Sequence, residues 1–480
     1  MSAPGIRRRL APVLAAMLGA GAAGTLAAQD SAPPPPGPIR PFEAPRPQRF
    51  TLANGVRVVA VERTAIPIVA VGVLVEAGTT YEPARSAGLA RLAASLLREG
   101  TADTPGPELA RRLAALGAEW ETFAGFTHAG VTFTTLSPRV PEALDLLAAA
   151  LRSPAFPADG FDRRRAEAVA ALEQRNADPT VAGFDLLVRA LFAPGAPYGR
   201  APEGERAGLE ALARDDVVRW HGEHFVPART TVVFVGAVPP ARARALAEAA
   251  FGSWRAEPRA APAPFPSPPA PAAGARVILV DRPGAAQTGI VVGSLTVTAT
   301  DSLYFPLLLL NRVLGVGTSS RLNRTLRERR GFTYGVQSYV EARRGVGVFS
   351  VEGLVRTDAT DSTLVELSAE LRRLASGDVT AEELEGAVSG LTGSFPTSIA
   401  TVQALRTRLV NLLAWDAPLD FYTSYRERLS SVDLAQVNAA ARRLFHPERM
   451  IYVLVGDLRA IEAPVRALNL GRVEVWDPQR

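Results

Sequence analysis

Apolar and polar residues are patterned along this chain in two different periods. The segment Phe50-Thr51-Leu52-Ala53-Asn54-Gly55-Val56-Arg57-Val58-Val59 places two short runs around Asn-Gly. That pair supplies the positive φ of a tight turn and predicts a hairpin. Residues 67–76 read as an apolar strand, and residues 128–136 alternate with period two. Elsewhere the period lengthens. Residues 86–97 put Leu89, Leu92, Ala93 and Leu96 on one helical face, and residues 140–152 and 161–176 predict further helices. Hairpins and separate helices, rather than strict strand–helix–strand alternation, predict an α+β fold with a mixed, mainly antiparallel sheet.

The pattern also repeats. Asp215-Asp216-Val217-Val218, an amphipathic helix, His224-Phe225-Val226-Pro227 and the strand Thr231-Val232-Val233-Phe234-Val235-Gly236 have a later counterpart. It runs Ser431-Val432-Asp433-Leu434, a similar helix, Phe445-His446-Pro447 and Ile451-Tyr452-Val453-Leu454-Val455-Gly456. Gly236 and Gly456 lie 220 positions apart, and the strands at 56–61 and 276–280 share nearly that offset. Two homologous halves of about 210 residues are the simplest account. The expected domains are residues 49–256 and 276–480, joined by a proline-rich linker at 257–275.

Composition narrows the chemistry. At 480 residues the chain exceeds a single compact core, and 47% hydrophobic with 21% charged residues describes a globular protein. Cysteine and lysine are both absent, which excludes disulfides, thiolate metal sites, a cysteine nucleophile, Schiff-base chemistry and a P-loop lysine. Arg7, Arg8 and Arg9 followed by apolar residues 10–26 resemble a secretory signal, with cleavage expected near Ala28, an uncleaved anchor as the competing reading, and a proline-rich leader at 29–48. A periplasmic or exported protein is the expectation, with no transmembrane anchor once the signal is removed. The net charge of +5 falls to +2 without those three arginines, so nothing favours nucleic acid.

The stretch Gly88-Leu89-Ala90-Arg91-Leu92-Ala93-Ala94-Ser95-Leu96-Leu97-Arg98-Glu99-Gly100-Thr101 resembles the metal helix of the pitrilysin/insulinase family of zinc peptidases. That helix carries the inverted motif H-x-x-E-H within a frame G-L-A…G-T. The frame survives here, but Arg91, Ala94 and Ser95 stand where histidine, glutamate and histidine belong. Arginine has no lone pair to give a metal, and alanine cannot act as a base. The family's third ligand is a glutamate in a later helix. Counting its spacing from Ser95 lands on Leu172, with Glu173 adjacent and reachable by a one-residue slip. Arg91 and Ser95 are four positions apart and share a helix face. The Arg91 guanidinium either takes roughly the place of the cation or is solvated in an open cleft.

The second half keeps a different part of the family's machinery. Ser319-Ser320-Arg321-Leu322-Asn323-Arg324-Thr325-Leu326-Arg327-Glu328-Arg329-Arg330-Gly331-Phe332-Thr333-Tyr334 resembles the signature S-R-L…L-R-E-x-x-G-x-x-Y. In that signature an arginine and a tyrosine face the metal centre, and Arg327 and Tyr334 match them. A guanidinium and a phenol can both donate hydrogen bonds to a carbonyl gaining negative charge. Gly331 is expected to end the helix, and Tyr334 to open a strand running to Val340.

The resemblance covers nearly all of residues 49–460. It implies two α+β halves forming one wall of a clam-shell, with no metal on this chain. Zinc is expected on a partner subunit carrying H-x-x-E-H, and an extended polypeptide is the expected substrate. A structural or binding protein on the same fold is the alternative. His221 and His224 form an i, i+3 pair that invites a metal reading, but histidines also commonly close a helix end.

Overall fold

The computed structural model describes residues 42–256 and 274–477. The signal, most of the proline-rich leader and nearly all of the linker lie outside the described residues. The first half contributes β1 (Gln48–Thr51), β2 (Arg57–Glu62), β3 (Ile68–Val75), β4 (Glu119–Ala124), β5 (Ala129–Leu136) and β6 (Thr230–Gly236). The second contributes β7 (Arg276–Asp281), β8 (Gln287–Thr296), β9 (Thr333–Arg343), β10 (Val346–Arg356), β11 (Ile451–Gly456) and β12 (Arg472–Trp476). The hairpin around Asn54-Gly55 is present as β1 and β2, with Gly55 at φ 91°.

Each half builds one six-stranded sheet, ordered β1-β2-β6-β3-β5-β4 and β12-β7-β11-β8-β10-β9. Five strands correspond one to one, and the parallel pairings are β2 with β6 in the first sheet and β7 with both β11 and β12 in the second. The sixth strand differs. In the first sheet β1 precedes β2 and pairs with it antiparallel, whereas in the second β12 comes from the far end and pairs with β7 in parallel. The repeated glycine has a steric reason. A Cβ on Gly236 would lie 2.1 Å from the Ile68 carbonyl oxygen, and one on Gly456 would lie 2.7 Å from Thr288 Oγ1.

Central strands such as β6 are buried along their whole length, because both faces of each sheet are covered. The outer layer comes from the same half. For the first sheet it includes Val140–Arg152 and Pro240–Phe251, packed into one core with β2, β3 and β5. The inner layer is exchanged. Helix Pro179–Leu191 of the first half buries Leu186, Leu187, Val188 and Leu191 against Ile278, Val291, Val453 and Val455 of the second sheet. Its approach is close: a Cβ on Gly183 would meet Val291 Cγ2 at 2.9 Å. In return, helix Val402–Trp415 of the second half packs on β3 and β6, with the Arg406 Nη1 donating to the Phe133 carbonyl at 3.5 Å. Further bonds tie the halves together, including Tyr198 Oη to the Arg344 carbonyl at 2.9 Å and Arg63 Nη1 to the Ile399 carbonyl at 2.7 Å. Among the described residues, no helix is long and apolar enough to cross a membrane.

Candidate functional site

The G-L-A…G-T frame folds as a short helix, Leu89–Leu96, followed by a 3-10 turn, Leu97–Glu99. It begins three residues later than its periodicity predicts, because Gly88 adopts a left-handed conformation at φ 102°. The Glu82 carboxylate substitutes for an N-cap, accepting from Gly88 N at 3.2 Å and Ala90 N at 2.6 Å. Burial pushes the Glu82 carboxyl up to about 7, against those amides and the Arg200 guanidinium. At the other end, Glu99 is 8% exposed and accepts from Arg163 at 2.6 Å and Arg164 at 2.8 Å. Both arginines stand on helix Ala158–Asn176. The two helices that would supply metal ligands are therefore held side by side.

Arg91, Ser95 and Leu172 line one cleft of about 360 Å³ between those helices. The expected juxtaposition is present, but the donor set does not suit zinc. Ser95 Oγ donates to its own helix, to the Leu92 carbonyl at 2.8 Å. Ala94 is 1% exposed and packs in the core. Leu172 faces the cleft, while Glu173 turns to a separate surface and pairs with Arg206. The one-residue slip therefore points Glu173 away from the cleft, and the carboxylate this helix does bring to it, Glu167, is paired with Arg164 at 2.9 Å.

The Arg91 side chain is 52% exposed at the cleft and so stays open to solvent. Its Nη1 lies 3.4 Å from Glu203 Oε1, and the other Glu203 oxygen faces Arg175 Nε at 3.7 Å. Arg175 in turn forms a bidentate pair with Asp185. A chain of alternating charges thus runs through the cleft, with a guanidinium at the position of a histidine ligand. Nothing in the sequence pointed to Glu203, which sits in the loop Pro202-Glu203-Gly204 far from the motif.

In the second half, residues Asn323–Arg329 form a π-helix rather than the expected α-helix. Arg330 N bonds to the Thr325 carbonyl at 3.1 Å, and Gly331 ends the segment at φ 64°. Such wide turns concentrate at functional sites. The chain then enters β9, one residue before Tyr334. Asn323, itself 4% exposed, binds β9 like a neighbouring strand: its Nδ2 donates to the Val336 carbonyl at 2.9 Å and its Oδ1 accepts from Val336 N at 3.2 Å. Arg321 is 3% exposed and anchors the same segment to Glu383 and Asp378. These clamps bring the predicted pair together. The Arg327 guanidinium carbon lies 5.0 Å over the Tyr334 ring, which is 87% exposed. Among the described residues, Arg327 has no carboxylate within ion-pair distance.

The histidines go elsewhere. His221 Nε2 contacts the Leu151 carbonyl at 2.8 Å, and His224 stacks on Trp220 at 3.8 Å. His128 is buried beside Thr127 Oγ1 at 2.8 Å, and His446 is half-buried, 3.5 Å from Glu448. The i, i+3 pair is thus a helix-end packing feature. Among the described residues, no group of three or more His, Asp or Glu is placed to hold a metal ion.

This geometry has relatives. A family model described as Insulinase (Peptidase family M16) matches residues 57–197, and one described as Peptidase M16 inactive domain matches residues 211–391. The chain belongs to this insulinase-type peptidase family. An uncharacterized zinc protease of Mycobacterium tuberculosis is 27% identical, over 90% of this chain and 98% of that one. Cytochrome b-c1 complex subunit 1 of Rattus norvegicus is 26% identical over 44% of this chain and 43% of its own length. The crystal structure of a peptidase M16 inactive domain from Pseudomonas fluorescens superposes with a TM-score of 0.79 at 24% identity, covering 86% of this chain and 98% of that one. The two-half α+β clam-shell fold is shared.

Proposed function

We propose that this chain is the non-catalytic, substrate-binding subunit of an exported zinc metallopeptidase, paired with a second subunit carrying H-x-x-E-H. One observation carries the reading: Arg91 in the degenerate metal cleft faces an anion of this chain, while half-buried Arg327 lies over the exposed Tyr334 ring and, among the described residues, has no carboxylate within ion-pair distance. The partner would supply the zinc and the general base. Arg327 and Tyr334 would donate hydrogen bonds to the scissile carbonyl oxygen as it gains charge.

An extended polypeptide would pair with a sheet edge through its main chain. The two inner edges differ in their readiness for this. On β9, Val336 is already paired by Asn323, and Ser338 N donates to the Gly315 carbonyl at 3.3 Å. On β4, no described group pairs with the outer backbone. The edge of β4 is the better candidate.

The test is purification alone and with a candidate H-x-x-E-H subunit. The chain alone is expected to bind no stoichiometric zinc and to cleave no peptide, and the pair to do both. Tightly held zinc in the isolated chain, with proteolysis abolished by a chelator, would end the proposal. Similarity to cytochrome b-c1 complex subunit 1 favours a second reading, a structural or binding protein on the same fold. Stable association only with non-peptidase proteins would support it.

A further inference from the structure

The hairpin tips of the two sheets meet. The β4–β5 turn at Gly125–His128 and the end of β9 at Val340–Arg343 face one another across a cavity of about 390 Å³. The end of the exchanged helix, Val410 to Trp415, forms the floor. Its walls are mainly apolar and aromatic: Phe123, Phe126, Tyr198, Val340, Ala414 and Trp415. The charged residues at its rim are largely matched. Arg343 binds Glu341 through two contacts of 2.9 Å while stacking on Phe126 at 4.1 Å, and Arg344 lies 3.6 Å from Asp416. His128, whose titration burial pulls down to about 4, adds no charge at neutral pH. A cavity of this size and lining suits an uncharged group of side-chain dimensions.

Phe123 connects this cavity to the open edge, because it is the penultimate residue of β4. A residue of an added strand standing opposite Phe123 projects from the same face as Phe123. That residue would reach the cavity mouth. We infer that the junction cavity is a specificity pocket that takes one large apolar or aromatic side chain of the polypeptide lying on β4. This rests on the substrate-binding reading above and deepens it. It makes the chain selective, not merely adhesive, and it assigns the selection to the seam between its halves.

The test uses labelled peptides titrated into the purified full chain by fluorescence anisotropy. Each pair of peptides differs only by Phe or Ala, with the position moved along the sequence. At one position the Phe peptide is expected to bind about tenfold more tightly. Ala414→Trp, which fills the cavity, and Trp415→Ala, which removes a wall, should each bring that ratio close to one. Thermal melts show which variant keeps its fold, and either alone decides the question. Absence of a Phe preference at every position, or a preference that survives in a folded variant, would overturn the pocket. Peptides N-methylated along the backbone separate the two ideas. If N-methylation leaves affinity unchanged while the Phe ratio responds to Ala414→Trp, the edge-pairing reading fails and the apolar pocket stands.

Discussion

The cleft holding Arg91 and the face holding Arg327 are both arginine-bearing sites on related sheets, yet their charges are disposed in opposite ways. In the first, Arg91, Glu203, Arg175 and Asp185 neutralise one another in series. In the second, Arg327 rests on an exposed ring with no described anion to bind. A site whose charges are spent on each other contributes to holding the fold, while one left open can act on something that arrives. Both arginines stand on short helical segments, so the element that carries them does not separate the two. The partners of the charges do.

The largest expected effect comes from reversing the first site. Arg91→His, Ser95→His and Leu172→Glu together place three ligands on a cleft whose helices are already aligned, and should create zinc binding of micromolar affinity or better, about 8 kcal/mol. Isothermal titration against the parent chain checks this. Failure to bind would mean that the cleft has lost the family's geometry as well as its donors, and the contrast would then be one of shape.

Next is the second site. In the complex with a zinc-bearing subunit, Tyr334→Phe should lower turnover by about a hundredfold to a thousandfold with peptide affinity little changed. Ser95→Ala should leave turnover as it was. Equal behaviour of the two variants would erase the distinction between the clefts.

The third prediction asks whether the halves can be compared as separate bodies at all. Leu187, fully buried, belongs to the first half by sequence and to the second sheet by packing. Leu187→Ala should cost about 2–5 kcal/mol and lower a single calorimetric transition. Two transitions, with only one moved, would show halves that melt independently.

The smallest effect is a pH dependence that belongs to the first half. Burial pulls His128 and His221 down to about 4 from an ordinary 6.5. Their unfolded forms take up protons near 6.5 and their folded forms only near 4. Stability is therefore complete above 6.5 and falls as pH drops towards 4. Glu82, raised to about 7 in the fold, acts in the opposite sense below that value, so the readout is the difference between chains: the parent should lose more melting temperature, or gain less, towards pH 4 than His221→Phe. Equal slopes in the two chains would show that the His221 imidazole is open to water.

Much of this was legible in the sequence. The strands and the 220-residue echo between Gly236 and Gly456 follow from steric rules that act locally, so they survive in a bare string of residues. The meeting of Arg327 and Tyr334 was legible because a glycine stop and a strand start fix both ends of a short segment. Other features were not. Helical periodicity says which face of Pro179–Leu191 is apolar but not which sheet will cover it. The π-helix depends on Asn323 and Arg321 reaching partners distant in the chain. Leu172 rather than Glu173 faces the cleft because of the rotation of one long helix, which a spacing count fixes only to within a residue.

The reciprocal loan of helices has a mechanical consequence. Hinging the two sheets apart would strip Pro179–Leu191 from one and Val402–Trp415 from the other, baring two oily surfaces to water at once. This molecule is therefore a stiff plate rather than a jaw. On the reading proposed above, room for a bulky guest would come from the partner subunit swinging aside.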